Sequence, residues 1–142
     1  MAEADLVIGA VLVAGAKAPK VVTAQMISAM RKGSVIVDIA IDQGGCIENI
    51  RETTHKSPTY DVAGVIHYAV GNVPGAVPFT STYALTNATL PYIADVASYG
   101  VRGAIDHDPA LLHGINVVGG KLTHPAVAEA MAQPYAPPLD AL

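Results

Sequence analysis

The sequence predicts an α/β fold in which a parallel sheet is followed by a mostly helical C-terminal segment. Three runs rich in valine and isoleucine, at residues 6–13, 34–39 and 65–70, are bounded by glycine, aspartate or asparagine. Such short runs are typical of buried strands. Because they are apolar almost throughout, we expect strands that are covered on both faces, as in a parallel sheet.

The segment between the first two predicted strands has the pattern of a helix, and the segment between the second and third has the pattern of a loop. Thr23 is a suitable N-cap, apolar residues follow at helical spacing, and Arg31-Lys32-Gly33 provides a basic last turn with a C′ glycine. Residues 5–39 therefore form a predicted βαβ unit. Residues 43–64 lack helical periodicity, and we expect them to be mostly irregular.

The later part of the chain predicts mainly helices. Residues 80–98 read as a long helix, which we expect to kink near Pro91 and to end at Gly100. Further signals predict a short helix capped by Asp108, a hairpin around Gly119-Gly120, and a helix from Pro125 that stops before Pro134.

The composition excludes several classes of protein. The 142 residues are 51% hydrophobic, enough for one sizeable core, and carry a net charge of −4 with no basic run longer than Arg31-Lys32, so we expect no nucleic-acid partner. The longest apolar run falls short of the roughly 20 residues that span a membrane. Acidic Glu3 and Asp5 near the start, with a single Cys46, favour a cytoplasmic protein without an internal disulfide.

Asp42 is the strongest candidate for a reacting group. It follows the second strand directly and precedes a glycine pair, at the sheet edge where ligands of open α/β folds bind. A partly buried carboxylate there would have the raised pKa that suits a general acid or base. The alternative is an Asx-turn residue that caps the strand end. Asp38, which lies inside the second strand, is the other candidate carboxylate, and we favour a structural role for it.

Other polar residues give weaker signals. Asn72 could orient a ligand or simply form a turn, His67 reads as a core or interface histidine, and Cys46 reads as a small buried residue rather than a nucleophile. The histidines lack metal-ligand spacing, so no metal site is expected. Neither GxGxxG nor a phosphate-loop motif occurs in the chain.

Several long blocks resemble one enzyme family. DLVIGAVLVAGAKAPK, AIDQGGC, TTHKSPTY and GVIHYAVGNVPGAVPFTSTYALTNATLPY closely resemble the C-terminal portion of alanine dehydrogenase, and the similarity runs over residues 4–138. The block AIDQGGC discriminates best, because the related NAD-binding component of transhydrogenase has no aspartate at the position of Asp42. That component is the alternative within the superfamily.

The resemblance implies an NAD-dependent enzyme that converts L-alanine to pyruvate and ammonia and assembles as a hexamer. It places the catalytic aspartate on Asp42 and a substrate contact on Asn72. Gly71 and Val73 stand where the family commonly has alanine and methionine, which we expect to loosen the pocket. The implied cofactor contacts are Val11, Leu12, Ile39, Ala40, Ile41, Asp42, Val70, Asn72 and Val73.

The resemblance also implies a division of the chain. Residues 1–80 would be the second half of a Rossmann-type NAD-binding domain, and residues 81–142 the C-terminal part of the substrate domain. The family's other substrate and cofactor groups would precede Met1, so we expect this chain alone to be inactive. The alternative from another class is a non-catalytic nucleotide-binding or assembly module.

Overall fold

The computed structural model describes residues 1–142, which divide into two units, Met1–Ala76 and Val77–Leu142. The first unit carries the larger sheet, and the second carries the longest helix. The assignment of residues 1–80 and 81–142 to cofactor and substrate domains stays a prediction.

The first unit contains a four-stranded sheet, and it confirms the three predicted strands in shorter form. These are β1 (Leu6–Gly9), β2 (Val35–Asp38) and β4 (Val65–Tyr68), which pair in parallel; β3 (Thr59–Val62) completes the sheet in the order β1-β2-β4-β3. The parallel pairing brings the carboxyl ends of β1, β2 and β4 to one edge of the sheet.

Strand β3 corrects the expectation of an irregular loop over 43–64. It forms an antiparallel hairpin with β4, closed at Ala63 and Gly64, which have φ of 56° and 83°. The Asp61 carboxylate accepts a hydrogen bond from the Gly64 N–H at 2.9 Å. The turn was missed because it puts alanine where hairpins with two left-handed residues usually have asparagine or aspartate.

The helix between the first two strands begins as predicted and ends early. Helix α1 spans Ala24–Ser28, and the Thr23 hydroxyl accepts from the Met26 N–H at 3.2 Å, which confirms the N-cap. Arg31 and Lys32 lie beyond its end, so the predicted basic last turn is wrong. The Ser28 hydroxyl donates to carbonyls of that last turn, a local bond that competes with helix continuation.

The core of the first unit lies on one face of its sheet. Ile36, Ile47 and Val65 are fully buried there together with the apolar side of α1. The opposite face is open, since Leu6 and Ile8 are more than half exposed. The expectation of strands covered on both faces is therefore wrong for the described chain.

The second unit is mostly helical, as predicted. Helix α2 spans Pro78–His107, and its backbone stays helical at Pro91 but breaks at Gly100, with φ 68° and ψ 174°. The expected kink near Pro91 is therefore wrong, whereas the break at Gly100 agrees with the expected helix end there, since that positive φ is open to a residue without a Cβ. None of the helices is both long and apolar enough to cross a membrane.

The remaining elements of the second unit follow the predicted turn signals. Asp108 caps a 3-10 helix at Pro109–Gly114 by accepting from the Ala110 N–H at 3.0 Å. The segment after Pro134 adds a short helix and a bridge between Leu122 and Tyr135. The other elements are β5 (Val117–Val118), β6 (Lys121–Leu122), α3 (Pro125–Ala130) and α4 (Pro138–Ala141).

Candidate functional site

The loops that follow the parallel strands form an apolar cleft at the carboxyl edge of the sheet. The cleft has a volume of about 220 Å³ and lies between the ends of β1 and β2. Pockets for drug-sized ligands are usually ~300–1,000 Å³, so this one has room for one flat ring rather than a whole dinucleotide. Its lining residues are Ala10, Val11, Leu12, Ile39, Ala40 and Gln43.

Asp38 shapes the loop that carries Asp42. It is 1% exposed, and its two carboxylate oxygens accept from the Ala40 N–H at 3.0 Å and the Cys46 N–H at 2.9 Å. The first bond caps a 3-10 helix over Ile39–Gln43. Asp38 thus makes the local cap that was the alternative role for Asp42, which leaves the Asp42 carboxylate for other contacts.

Two glycines end this 3-10 helix and keep its loop tight. Gly44 and Gly45 have φ of 88° and 71°, and a Cβ on Gly45 would meet Ile50 and Asp38 within contact distance. The Lys20 ammonium donates to both glycine carbonyls, at 2.6 and 2.8 Å. The glycine pair singled out in the sequence therefore fixes the loop after β2.

Asp42 and Asn72 meet at the edge of the sheet. The Asn72 N–H donates to the Asp42 carboxylate at 3.3 Å, which joins the loop after β2 to the loop after β4. Both residues are exposed, so the expectation of a partly buried Asp42 is wrong. The 3-10 helix explains this, because it turns Asp42 outward while burying its neighbours Ala40 and Ile41.

Asn72 is also a turn residue, so the two roles weighed for it coexist. Its φ of 51° is left-handed, and its carbonyl accepts from the Gly75 N–H at 2.8 Å. The neighbouring Val73 is 37% exposed, whereas Val70 is fully buried. The Val70 side chain therefore belongs to the core and does not line an open pocket.

Two polar residues near Asn72 were not predicted as site residues. The Nε2 atom of His55 lies 3.1 Å from the Asn72 carbonyl, and Glu52 lies against Gly71, where a Cβ would overlap its carboxylate. Gly71 therefore makes space for the Glu52 carboxylate, and the expected loosening of the pocket stays a prediction. No local sequence pattern could have predicted either contact, because the two partners of each lie far apart in the chain.

His67 and Cys46 are structural, as the sequence favoured. His67 is 2% exposed, donates from Nδ1 to the Val65 carbonyl at 2.9 Å and stacks on Tyr60. Cys46 is fully buried, with its sulfur 3.6 Å from an Asp38 oxygen. Burial raises the pKa of the Cys46 thiol, and the Asp38 charge also raises it. No group of three or more metal-ligating side chains is present.

The raised pKa of Cys46 predicts a pH dependence of stability. Its contribution is present below the unfolded thiol pKa of about 8.5 and is lost as the pH rises through the folded value. We expect the unfolding free energy of the parent, relative to Cys46→Ala, to fall as the pH rises above the unfolded thiol pKa. Urea unfolding at pH values below and above that pKa measures it, and a constant difference would contradict the prediction.

The comparison with protein families settles the kinship of the chain. The family described as "Alanine dehydrogenase/PNT, C-terminal domain" matches residues 1–125. The chain belongs to this family. Membership implies a nicotinamide cofactor, and it confirms the resemblance noted from the sequence blocks.

Individual relatives agree with this family. The chain is 58% identical to an alanine dehydrogenase of Methanococcus maripaludis over 99% of its length and 52% identical to one of Bacillus subtilis over 100%. It spans 38% of the length of each relative and corresponds to their C-terminal portion.

Solved structures favour alanine dehydrogenase over the superfamily alternative. An L-alanine dehydrogenase structure matches 92% of the chain, and 36% of its own, with a TM-score of 0.74 and 54% identity. A transhydrogenase structure from Sinorhizobium meliloti matches 58% of the chain, and 22% of its own, with a TM-score of 0.52 and 34% identity. The transhydrogenase likeness is thus weaker in every measure.

Proposed function

We propose that this chain forms the C-terminal part of an NAD-dependent alanine dehydrogenase, which converts L-alanine, water and NAD⁺ to pyruvate, ammonium, NADH and a proton. The observation that carries the proposal is the position of Asp42. It lies on the same 3-10 helix as Ile39, Ala40 and Gln43, which line the apolar cleft, and it contacts Asn72. A carboxylate next to a ring-sized cleft suits proton transfer beside a bound cofactor.

The cleft fits the nicotinamide end of NAD in size and polarity. The lining offers apolar residues, Val11, Leu12, Ile39 and Ala40, together with one polar residue, Gln43. When bound, NAD would supply the hydride acceptor for the alanine Cα. The residues of this chain would hold and orient the ring, which is the usual contribution of a protein to cofactor chemistry.

Asp42 would handle the protons of the reaction. Its exposed carboxylate can accept a proton from the substrate amine or from the attacking water, and return it to the departing ammonia. The Asn72 N–H donates to the Asp42 carboxylate and so fixes its position beside the cleft. The Asn72 side chain would contact the substrate. We further propose that the two units belong to the cofactor and substrate domains, divided near residue 80, in a hexamer that acts on alanine in the cytoplasm.

A chimera tests the proposed activity directly. Residues 1–142 replace the matching 38% of the Methanococcus maripaludis relative, and alanine-dependent reduction of NAD is followed by absorbance. We expect activity comparable to that of the relative, because the residues around Asp42 and the cleft are supplied by this chain. A folded chimera that binds NAD but leaves alanine unoxidised would instead support the non-catalytic nucleotide-binding module.

Asn72 variants in the chimera separate its side chain from its backbone. We expect Asn72→Gly to raise the KM for alanine and lower kcat together, because glycine keeps the left-handed φ of 51° and removes only the carboxamide. Asn72→Ala should show the same kinetic loss with an added loss of stability. Steady-state kinetics and urea unfolding measure the two effects. Unchanged kinetics in Asn72→Gly would reduce Asn72 to a turn residue.

A further inference from the structure

His55 holds the turn that presents Asn72 to Asp42. A carbonyl oxygen only accepts, so the 3.1 Å contact between His55 Nε2 and the Asn72 carbonyl places a proton on Nε2. The Gly75 N–H donates to the same carbonyl at 2.8 Å. A Cβ on Gly75 would lie 3.1 Å from Asn72 Nδ2 and 3.5 Å from His55 Nε2, so the two side chains converge over this glycine.

The segment that carries His55 is itself well anchored. Thr53, two residues earlier, is 6% exposed, and its N–H donates to the Ala69 carbonyl at 2.8 Å while its hydroxyl donates to the Pro58 carbonyl at 2.9 Å. Thr54 and Ser57 bond to each other across the next turn. His55 thus extends from a fixed support toward the end of β4.

The Asn72 residue is therefore held on both sides of its backbone. Its N–H bonds to the Asp42 carboxylate, and its carbonyl bonds to His55 and Gly75. A left-handed φ at a residue other than glycine carries a conformational cost, which these bonds offset. Removing the His55 bond leaves the Asn72 carbonyl held by Gly75 alone, and we expect this to loosen the N–H that fixes Asp42.

We propose that His55 is a positioning residue, which orients the Asp42 carboxylate through the backbone of Asn72. Its kinetic consequence rests on the proposed alanine dehydrogenase function, whereas the hydrogen-bond relay itself does not. His55 bonds to Asn72, which in turn bonds to Asp42. Loss of His55 should lower kcat more than it changes the KM for NAD, because the apolar cleft is formed by other residues.

Amide hydrogen exchange in the 142-residue chain tests the relay without any activity. We expect His55→Ala to speed exchange of the Asn72 N–H about threefold or more, as expected when a local opening costs less. His55→Gln, whose amide can still donate to the carbonyl, should retain most of the protection. His113→Ala, which changes an exposed histidine of the second unit, is the matched control and should leave Asn72 unchanged.

Kinetics of the chimera then test the consequence for Asp42. We expect kcat to fall about tenfold in His55→Ala and to recover largely in His55→Gln, with the KM for NAD within about twofold of the parent. An inactive parent chimera would count against the proposed function, while the exchange data still decide the relay. Unchanged Asn72 exchange in His55→Ala, or equal kcat in parent and His55→Ala, would overturn the proposal.

Discussion

Replacing Asp42 with asparagine in the chimera should lower kcat by about 10²-fold or more, the usual scale for losing a proton-transfer group. Asparagine keeps the shape of the side chain and an oxygen that can accept from the Asn72 N–H, so the loops after β2 and β4 stay joined. NAD affinity should change little, because the cleft is lined by other residues. Stopped-flow and steady-state assays of alanine oxidation measure the loss.

The control for Asp42 is another exposed aspartate. Asp106→Asn makes the same chemical change near the end of α2 in the second unit, and we expect its kcat to match the parent. A kcat within a factor of two of the parent in Asp42→Asn would remove Asp42 from the reaction. Equal losses in the two variants would point to a general effect of negative charge.

Replacing Asp38 with alanine should destabilise the protein by about 2–4 kcal/mol, the sum expected for a lost helix cap and a buried N–H left without a partner. Asp38 is 1% exposed and accepts from the backbone of both Ala40 and Cys46. Both bonds shape the loop that carries Asp42. Urea unfolding of the 142-residue chain measures the change in unfolding free energy.

Two further variants serve as comparisons for the stability loss in Asp38→Ala. Asp38→Asn keeps one accepting oxygen and should lose less stability than Asp38→Ala. Asp5→Ala removes an aspartate whose side chain is 86% exposed, at 3.7 Å from Arg31, and should cost less than about 1 kcal/mol. If Asp38→Ala cost no more than Asp5→Ala, the role of Asp38 in holding the loop would be lost.

The fold was predictable where a local pattern carries the information. The valine and isoleucine runs located β1, β2 and β4, and Thr23 located the start of α1. Strand β3 was missed because it pairs through a turn without the usual residues. The early end of α1 depends on Ser28, whose hydroxyl donates to carbonyls of the last helical turn. The spacing of apolar residues, from which the helix was predicted, gives no information on such a bond.

Some residues of the candidate site were likewise predictable from the sequence, and others were not. Position after a strand singled out Asp42 and Asn72. The resemblance supplied Val11, Leu12, Ile39 and Ala40, which the structure gathers into one cleft, but also Ile41, Val70 and Val73, which do not line it. The sequence alone did not show that Asp38 caps the loop and that Asp42 is the free carboxylate. The two roles depend on burial, since Asp38 is buried and Asp42 is exposed. His55 and Glu52 were overlooked because they reach Asn72 and Gly71 across 17 or more residues of chain.

The order of the strands makes the sheet asymmetric at its two sides. On one side, antiparallel β3 sends its carboxyl end toward the far edge, away from Asp42 and the cleft. On the other, β1 has a single neighbour and runs parallel to β2. A further parallel strand beside β1 would deliver its following loop next to Val11 and Leu12. Additional parallel strands would therefore extend the cleft from the β1 side of the sheet, and not from the β3 side.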